Sequence, residues 1–211
     1  MSRSTRTQDE FMNELEQFVT HDGLANWSIS QIAARLRCSR RRIYELAPSK
    51  DELFLLVARR IFASSLAKCH LAAKAETDVV AAVYAYMNSS VTETRLGLPY
   101  ITELEQSDAA RKLFDEYQQE RSRGMVQLLE EGVRTGRFSP FRTALVNEAI
   151  LGAAVRIRRP GFLARNGLTI EEAFRELYDL ILNGLLAKDQ LSPHKREQVS
   201  APQRRRRAKT S

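Results

Sequence analysis

The chain reads as an all-α protein. Apolar residues recur at helical spacing along most of its length, and no sustained two-residue alternation argues for a sheet. Three Ser/Thr-x-x-Glu/Gln pairs, Ser28/Gln31, Ser49/Glu52 and Thr169/Glu172, stand at the starts of apolar-periodic runs, as helix capping boxes do. The expected layout is an N-terminal three-helix head with a helix-turn-helix over residues 1–48, a connector helix over 49–74, a second helical body over 75–188 and a disordered basic tail over 189–211.

Residues 8–21 make the first amphipathic helix, with Phe11, Leu15, Phe18 and Val19 inward and His21-Asp22-Gly23 ending it. Ser28 then caps a short helix, and Trp27 and Ile32 are placed to close a hydrophobic staple over it. Ile32, Ala33 and Leu36 share one face of that helix. Arg37-Cys38-Ser39 is a tight turn, and Ser39 caps a second short helix whose apolar side is Ile43, Leu46 and Ala47. Arg41 and Glu45 point outward there, flanked by Arg40, Arg42 and Tyr44. The small Ala33 lets the two helices cross closely. Ala47-Pro48 breaks the chain before a long helix from about 50 to 73, with Leu53, Leu56, Val57, Arg60/Ile61 and Leu66 along it. Further helices are expected near 77–92, 98–106, 108–135, 140–157 and 170–187, punctuated by Gly97, Pro99, Gly136 and Pro160-Gly161. The last is apolar on many sides, through Phe174, Leu177, Tyr178, Leu180, Ile181, Leu182, Leu185 and Leu186. Such a helix buries one face in its own core and another elsewhere.

The 211 residues suffice for one or two domains with a real core. The formal charge is +7, but it is unevenly placed. Residues 1–60 carry ten Lys/Arg against eight Asp/Glu, residues 61–187 fifteen against sixteen, and residues 188–211 eight against two. The high isoelectric point thus belongs to the tail, and any nucleic-acid affinity should come from the head's local arginines and the tail. Two cysteines, Cys38 and Cys69, are too few for a disulfide framework or a zinc site and fit a reducing cytoplasm. The opening MSRSTRTQDE has no apolar stretch of the kind a secretory leader needs, and no apolar run approaches a membrane span.

Between Ser28 and Tyr44 lie Arg35, Arg37, Arg40, Arg41 and Arg42, without one Asp or Glu. A short, capped, cationic and hydrogen-bond-rich helix suits the major groove of DNA. The residues from Ile29 to Leu53, ISQIAARLRCSRRRIYELAPSKDEL, resemble the tetracycline-repressor (TetR) family of bacterial transcription regulators. The shared features are Ile32-Ala33, the turn Arg37-Cys38-Ser39, Tyr44-Glu45-Leu46-Ala47 and the helix start Ser49-Lys50-Asp51. The resemblance implies a homodimer with DNA-binding heads, effector-binding and dimerising bodies over 75–188, and dimerisation through the last two main helices. Carried over by position, it implies that Ser28, Tyr44 and Lys50 touch phosphates. Arg40, Arg41 and Arg42 would face the groove, and Arg37 and Ser39 complete the expected DNA-binding residues. Three positions depart from the family pattern. Arg37 replaces a turn glycine, Arg42 a small or Thr-like residue, and Ala47 a phenylalanine, for which Leu46 and Phe54 are placed to compensate.

Tyr84, Met87, Tyr100, Phe114, Tyr117 and Met125 fall on the helices expected to enclose an effector cavity, with Arg121 or Glu103 to orient a polar group of the ligand. Gly152, Val155, Arg156, Tyr178, Ile181, Leu182 and Leu185 are the expected dimer contacts. Arg156, Arg158 and Arg159 close a helix where cations suit its dipole. Catalysis has no support. Cys69 and His70 are neighbours on a helix and diverge, and His21, His70 and His194 lack metal-ligand spacing. Glu130-Glu131 and Glu171-Glu172 read as solvated faces, and no phosphate-binding or nucleophile motif appears. No cofactor and no metal is expected. The leading expectation is a ligand-responsive regulator, acting as a repressor, that binds double-stranded DNA as a homodimer. Two others stand beside it: a non-specific architectural DNA-binding protein, and a helical protein whose basic head meets an acidic partner.

Overall fold

In the computed structural model, which describes residues 7–89, 97–157 and 160–186, ten helices follow one another among the described residues. The first four are α1 (Gln8–Asp22), α2 (Ile29–Arg35), α3 (Arg40–Tyr44) and α4 (Lys50–Lys74). Then come α5 (Val79–Ser89), α6 (Leu98–Gln106), α7 (Asp108–Arg134), α8 (Thr143–Ile157), α9 (Pro160–Asn166) and α10 (Ile170–Leu185). An isolated antiparallel bridge pairs Phe138 with Leu186.

Local chemistry starts most of these helices. Capping boxes open α1 at Thr7/Glu10, α2 at Ser28/Gln31 and α10 at Thr169/Glu172. Of the box expected at Ser49, one half is present: Ser49 Oγ accepts the Glu52 N–H at 3.1 Å. Ser107 caps α7 through the Ala110 N–H. Pro160, read from sequence as a break, instead occupies the first position of α9, where a missing N–H costs nothing.

Two apolar clusters hold the helices together. One takes its residues from α1, α2, α3 and the first half of α4, and also includes Tyr100 and Leu104 of α6 and Ala110 of α7. The α6 helix therefore packs with the head. The other joins Cys69 and Ala73 of α4 to α5, the C-terminal half of α7, α8 and α10. The buried stripe of α4 runs through Leu53, Phe54, Val57, Ala58 and Phe62, which leaves Leu56 exposed at its edge rather than on it. Phe138 lies so close to Gly132 that a Cβ there would stand 2.1 Å from its ring. The Phe138 N–H donates to Gly132 O and the Ser139 N–H to Leu185 O, so the α7–α8 loop ties the end of α7 to the end of α10. The basic tail, with His194, and the pair Arg158 and Arg159 lie outside the described residues.

Candidate nucleic-acid interface

The α2–α3 unit is built by its caps and its turn. The Gln31 N–H donates to Ser28 Oγ at 3.3 Å, and the Ser28 N–H returns a bond to Gln31 Oε1 at 2.9 Å. The turn closes where Arg37 takes a left-handed φ of 50° and the Cys38 N–H donates to Ala33 O at 2.9 Å. Ser39 Oγ accepts the Arg42 N–H at 3.1 Å and starts α3. Ile32, Ala33, Leu36 and Ile43 are buried, so the opposite edge is forced outward. The Trp27 ring sits edge-on to Phe18 at 4.9 Å and covers the entry to α2.

That outward edge is cationic, but its arginines are not equivalent. Arg40 and Arg37 are exposed, as are Ser28, Ser39 and Tyr44. The Arg41 side chain is 88% exposed, and its Nε donates to Glu45 Oε1 at 2.9 Å. Arg42 is drawn back toward α1. Its Nη2 bonds Gln8 Oε1, its guanidinium lies 5.4 Å over the Phe11 ring, and Glu45 Oε2 stands 3.9 Å from Nη1. The family resemblance implies that all three arginines face a groove; here Arg42 lies between α3 and α1. Lys50 is half-buried, with Nζ donating to Ala25 O at 2.6 Å, so it stitches the start of α4 to the α1–α2 turn.

The residues nominated for an effector cavity do not converge on one space. Met87 and Met125 are buried in the second cluster with Tyr84 beside them, whereas Tyr100 is buried in the first, with Phe114 and Tyr117 against it. Arg121 is buried on α7, and its carbonyl accepts the Tyr86 hydroxyl at 3.0 Å. Burial raises the pKa of Tyr86, and likewise that of Tyr100, so both stay neutral. Glu103 faces the head instead of a cavity: its Oε2 accepts the N–H groups of Leu24 and Ala25.

An open groove of about 380 Å³ does run between α4 and α7. Phe62, Leu66, Leu113 and Tyr117 form its floor, with Arg59, Glu116, Glu120 and Arg123 at its rim. Phe62 and Tyr117 stack at 4.8 Å, and the Tyr117 hydroxyl is 2.9 Å from Ser65 Oγ. Of the nominated residues, Tyr117 lines this groove. Sequence reasoning missed Phe62 and Arg59, because both sit on the helix read only as a connector. No group of His, Cys, Asp and Glu able to hold a metal ion occurs among the described residues. Cys69 is buried while His70 is exposed, so the two neighbours do face apart.

The expected dimer contacts divide in two. Tyr178 and Leu182 are 1% and 7% exposed and lie in the second cluster, with Ile181 and Leu185 half-buried beside them. Tyr178 and Leu182 pack into the fold of the single chain, where α10 meets α5 and α8, and Ile181 and Leu185 stand at the edge of that contact. Gly152, Val155 and Arg156 are exposed on α8. Leu145 (68%), Val155 (57%) and Leu180 (73%) are large apolar side chains left to solvent on α8 and α10. No helix of the described residues is long and apolar enough to cross a membrane.

The whole arrangement matches solved regulator structures. A TetR transcription regulator from Haloarcula marismortui superposes with a TM-score of 0.70 at 15% identity, covering 84% of this chain and 99% of its own. The fatty acid degradation regulator FadR from Bacillus halodurans gives 0.66 at 19% identity, covering 85% and 100%. FadR from Bacillus subtilis, solved in complex with stearoyl-CoA, gives 0.68 at 13% identity, covering 85% and 100%. No protein-family profile and no curated protein sequence matches the chain. At these identities the likeness establishes the fold: a helix-turn-helix head on a helical body, as in TetR-type regulators.

Proposed function

We propose that this chain is a ligand-responsive transcriptional regulator that binds operator DNA as a homodimer and gives up the DNA when a small molecule occupies its body. The observation that carries the reading is α3: a short helix capped by Ser39 that presents Arg40, Arg41 and Tyr44 on an edge its own core cannot use. Glu45 engages Nε of Arg41 and thereby orients the two terminal nitrogens that guanine O6 and N7 accept in bidentate readout. Ser28, Ser39, Tyr44 and Arg37 surround this edge as hydrogen-bonding or cationic groups suited to phosphates.

The partner in the dimer is a second copy, meeting at α8 and α10. Leu145, Val155 and Leu180 supply apolar area there. Gly152, inside α8, strengthens this assignment, since a Cβ there would meet nothing within 4 Å. A mid-helix glycine costs about 1 kcal/mol relative to alanine and gains nothing in the isolated chain. Close approach of a partner helix gives it a reason.

The α4–α7 groove is the candidate effector entrance. Its aromatic stack and charged rim suit an amphipathic small molecule. A ligand wedged there displaces α4, whose start holds the head, and shifts the population away from the DNA-competent state. Repression follows by occlusion of a promoter. The protein acts where the DNA is, with Cys38 and Cys69 reduced; no disulfide joins them.

Selection of bound duplexes from a random-sequence pool tests the reading. A two-fold symmetric site containing guanines is expected. A bound pool with no enriched sequence would remove specific regulation and leave a non-specific DNA-binding protein. A protein retaining no duplex at all would instead point to a protein partner for the basic head.

A further inference from the structure

Glu103 joins α6 to the head at two successive peptides of one turn. Its Oε2 accepts the N–H of Leu24 at 2.6 Å and that of Ala25 at 3.1 Å. Both amides lie in the turn between α1 and α2, where no helical ladder satisfies them. The carbonyl of Ala25, in the next peptide, accepts Lys50 Nζ at 2.6 Å, so this turn is held from α6 at its N–H groups and from α4 at its carbonyl. The surrounding backbone is shaped for the contact. Gly23 takes a φ of +64°, and a Cβ there would stand 3.0 Å from Glu103 Oε2 and 3.1 Å from the Pro99 carbonyl carbon. The Gly97 N–H donates to Thr20 O at 2.7 Å, pinning the start of α6 to the end of α1. Tyr100, fully buried, packs on Phe54 of α4 at 5.2 Å. Three residues beyond Ala25 stands Ser28, the cap of α2.

We propose that Glu103 is a positioning residue for DNA binding: its carboxylate fixes the α1–α2 turn to α6 and so sets the angle at which the head offers α3. The proposal rests on the DNA-binding reading above. A carboxylate accepting backbone N–H groups makes charge-assisted bonds, stronger than neutral ones, and partial burial spares them most salt screening. Removing the side chain leaves two amides without their acceptor. The caps of α2 and α3 and the buried Ile32, Ala33 and Ile43 do not involve Glu103, so α2 and α3 keep their mutual packing. What changes is orientation. Two heads of a dimer must reach half-sites one DNA turn, or a multiple of it, apart, so orientation is read out as spacing preference.

The experiment compares wild type, Glu103→Ala and Glu103→Gln on DNA duplexes carrying one selected half-site, or two at varied spacing. It adds amide exchange rates at Leu24 and Ala25. Glu103→Ala is expected to lose exchange protection at those two amides and to keep its single half-site affinity within about threefold. It is also expected to lose tenfold or more of the ~10²–10⁴-fold gain that linked sites provide, with a flattened dependence on spacing. Glu103→Gln keeps a carbonyl oxygen on the same side chain and is expected to restore both protection and spacing preference. A Glu103→Ala protein with wild-type spacing preference would overturn the proposal, as would one whose single-site and paired-site affinities fall together. If wild type itself prefers no sequence and no spacing, the DNA-binding reading falls and takes this proposal with it.

Discussion

Arg37 holds a left-handed backbone in the middle of the reading unit, where most side chains are strained. Glycine at this position would relieve the strain, and Arg37→Gly is expected to stabilise the fold by about 1 kcal/mol, measured by denaturant or thermal unfolding. The same change removes a cation from the edge proposed to meet DNA, so the salt dependence of DNA affinity should flatten by roughly one unit. Stability and affinity moving in opposite directions would mark the strain as retained for binding. Arg41 and Arg42, adjacent in sequence, should behave differently as well. Arg41→Ala is expected to cost about 1–3 kcal/mol on the preferred site and to relax preference at one base pair. Arg42→Ala should weaken all sequences alike and lower the stability of the head, because its guanidinium lies on Phe11 and Gln8. Equal loss of discrimination in both variants, in a binding-site comparison, would contradict this division. Sequence alone put the two arginines side by side. It could not show that α1 captures one of them, since that depends on the packing of helices 30 residues apart.

At the scale of elements, the helices were legible where their signals are local. Ser28/Gln31 and Thr169/Glu172 form the boxes that their spacing announced, and the apolar stripe of α1 is buried where its periodicity placed it. The box at Thr7/Glu10 is equally local, and its Glu10 stands one residue before Phe11, where the apolar stripe of α1 begins. The α9 helix was not legible, because Pro160-Gly161 carries the same residues whether it breaks a helix or begins one. Tertiary choices were illegible for a different reason. Glu103 looks from sequence like a ligand-orienting carboxylate, and only the approach of α6 to the α1–α2 turn assigns it to the head. Gly132 is a second such case, silent in sequence and decisive in packing. A methyl group there would collide with the Phe138 ring, so Gly132→Ala is expected to destabilise by about 1–3 kcal/mol despite its better helix propensity. Chemical denaturation checks this: a variant as stable as wild type would mean that Phe138 moves aside freely.

For the whole molecule, the proposed dimer assigns separate side chains of α8 and α10 to folding one chain and to joining two. Leu182→Glu buries a charge in the second cluster and is expected to unfold the body, since an unpaired buried charge costs several kcal/mol. Leu180→Glu, two residues away, lies on the solvent side and should leave helix content and melting of the isolated chain intact while giving monomers by light scattering. Dimers persisting in Leu180→Glu would move the interface elsewhere. The central claim is that such a dimer reads sequence through α3, and competition at fixed salt tests it most directly. Labelled selected operator is displaced from the wild-type dimer by unlabelled operator or by random duplex of equal length. Operator is expected to compete at least about 10³-fold better than random DNA, the lower end for specific regulators. The advantage should collapse in Arg41→Ala and in Leu180→Glu. Random duplex competing as well as operator would contradict sequence-specific recognition.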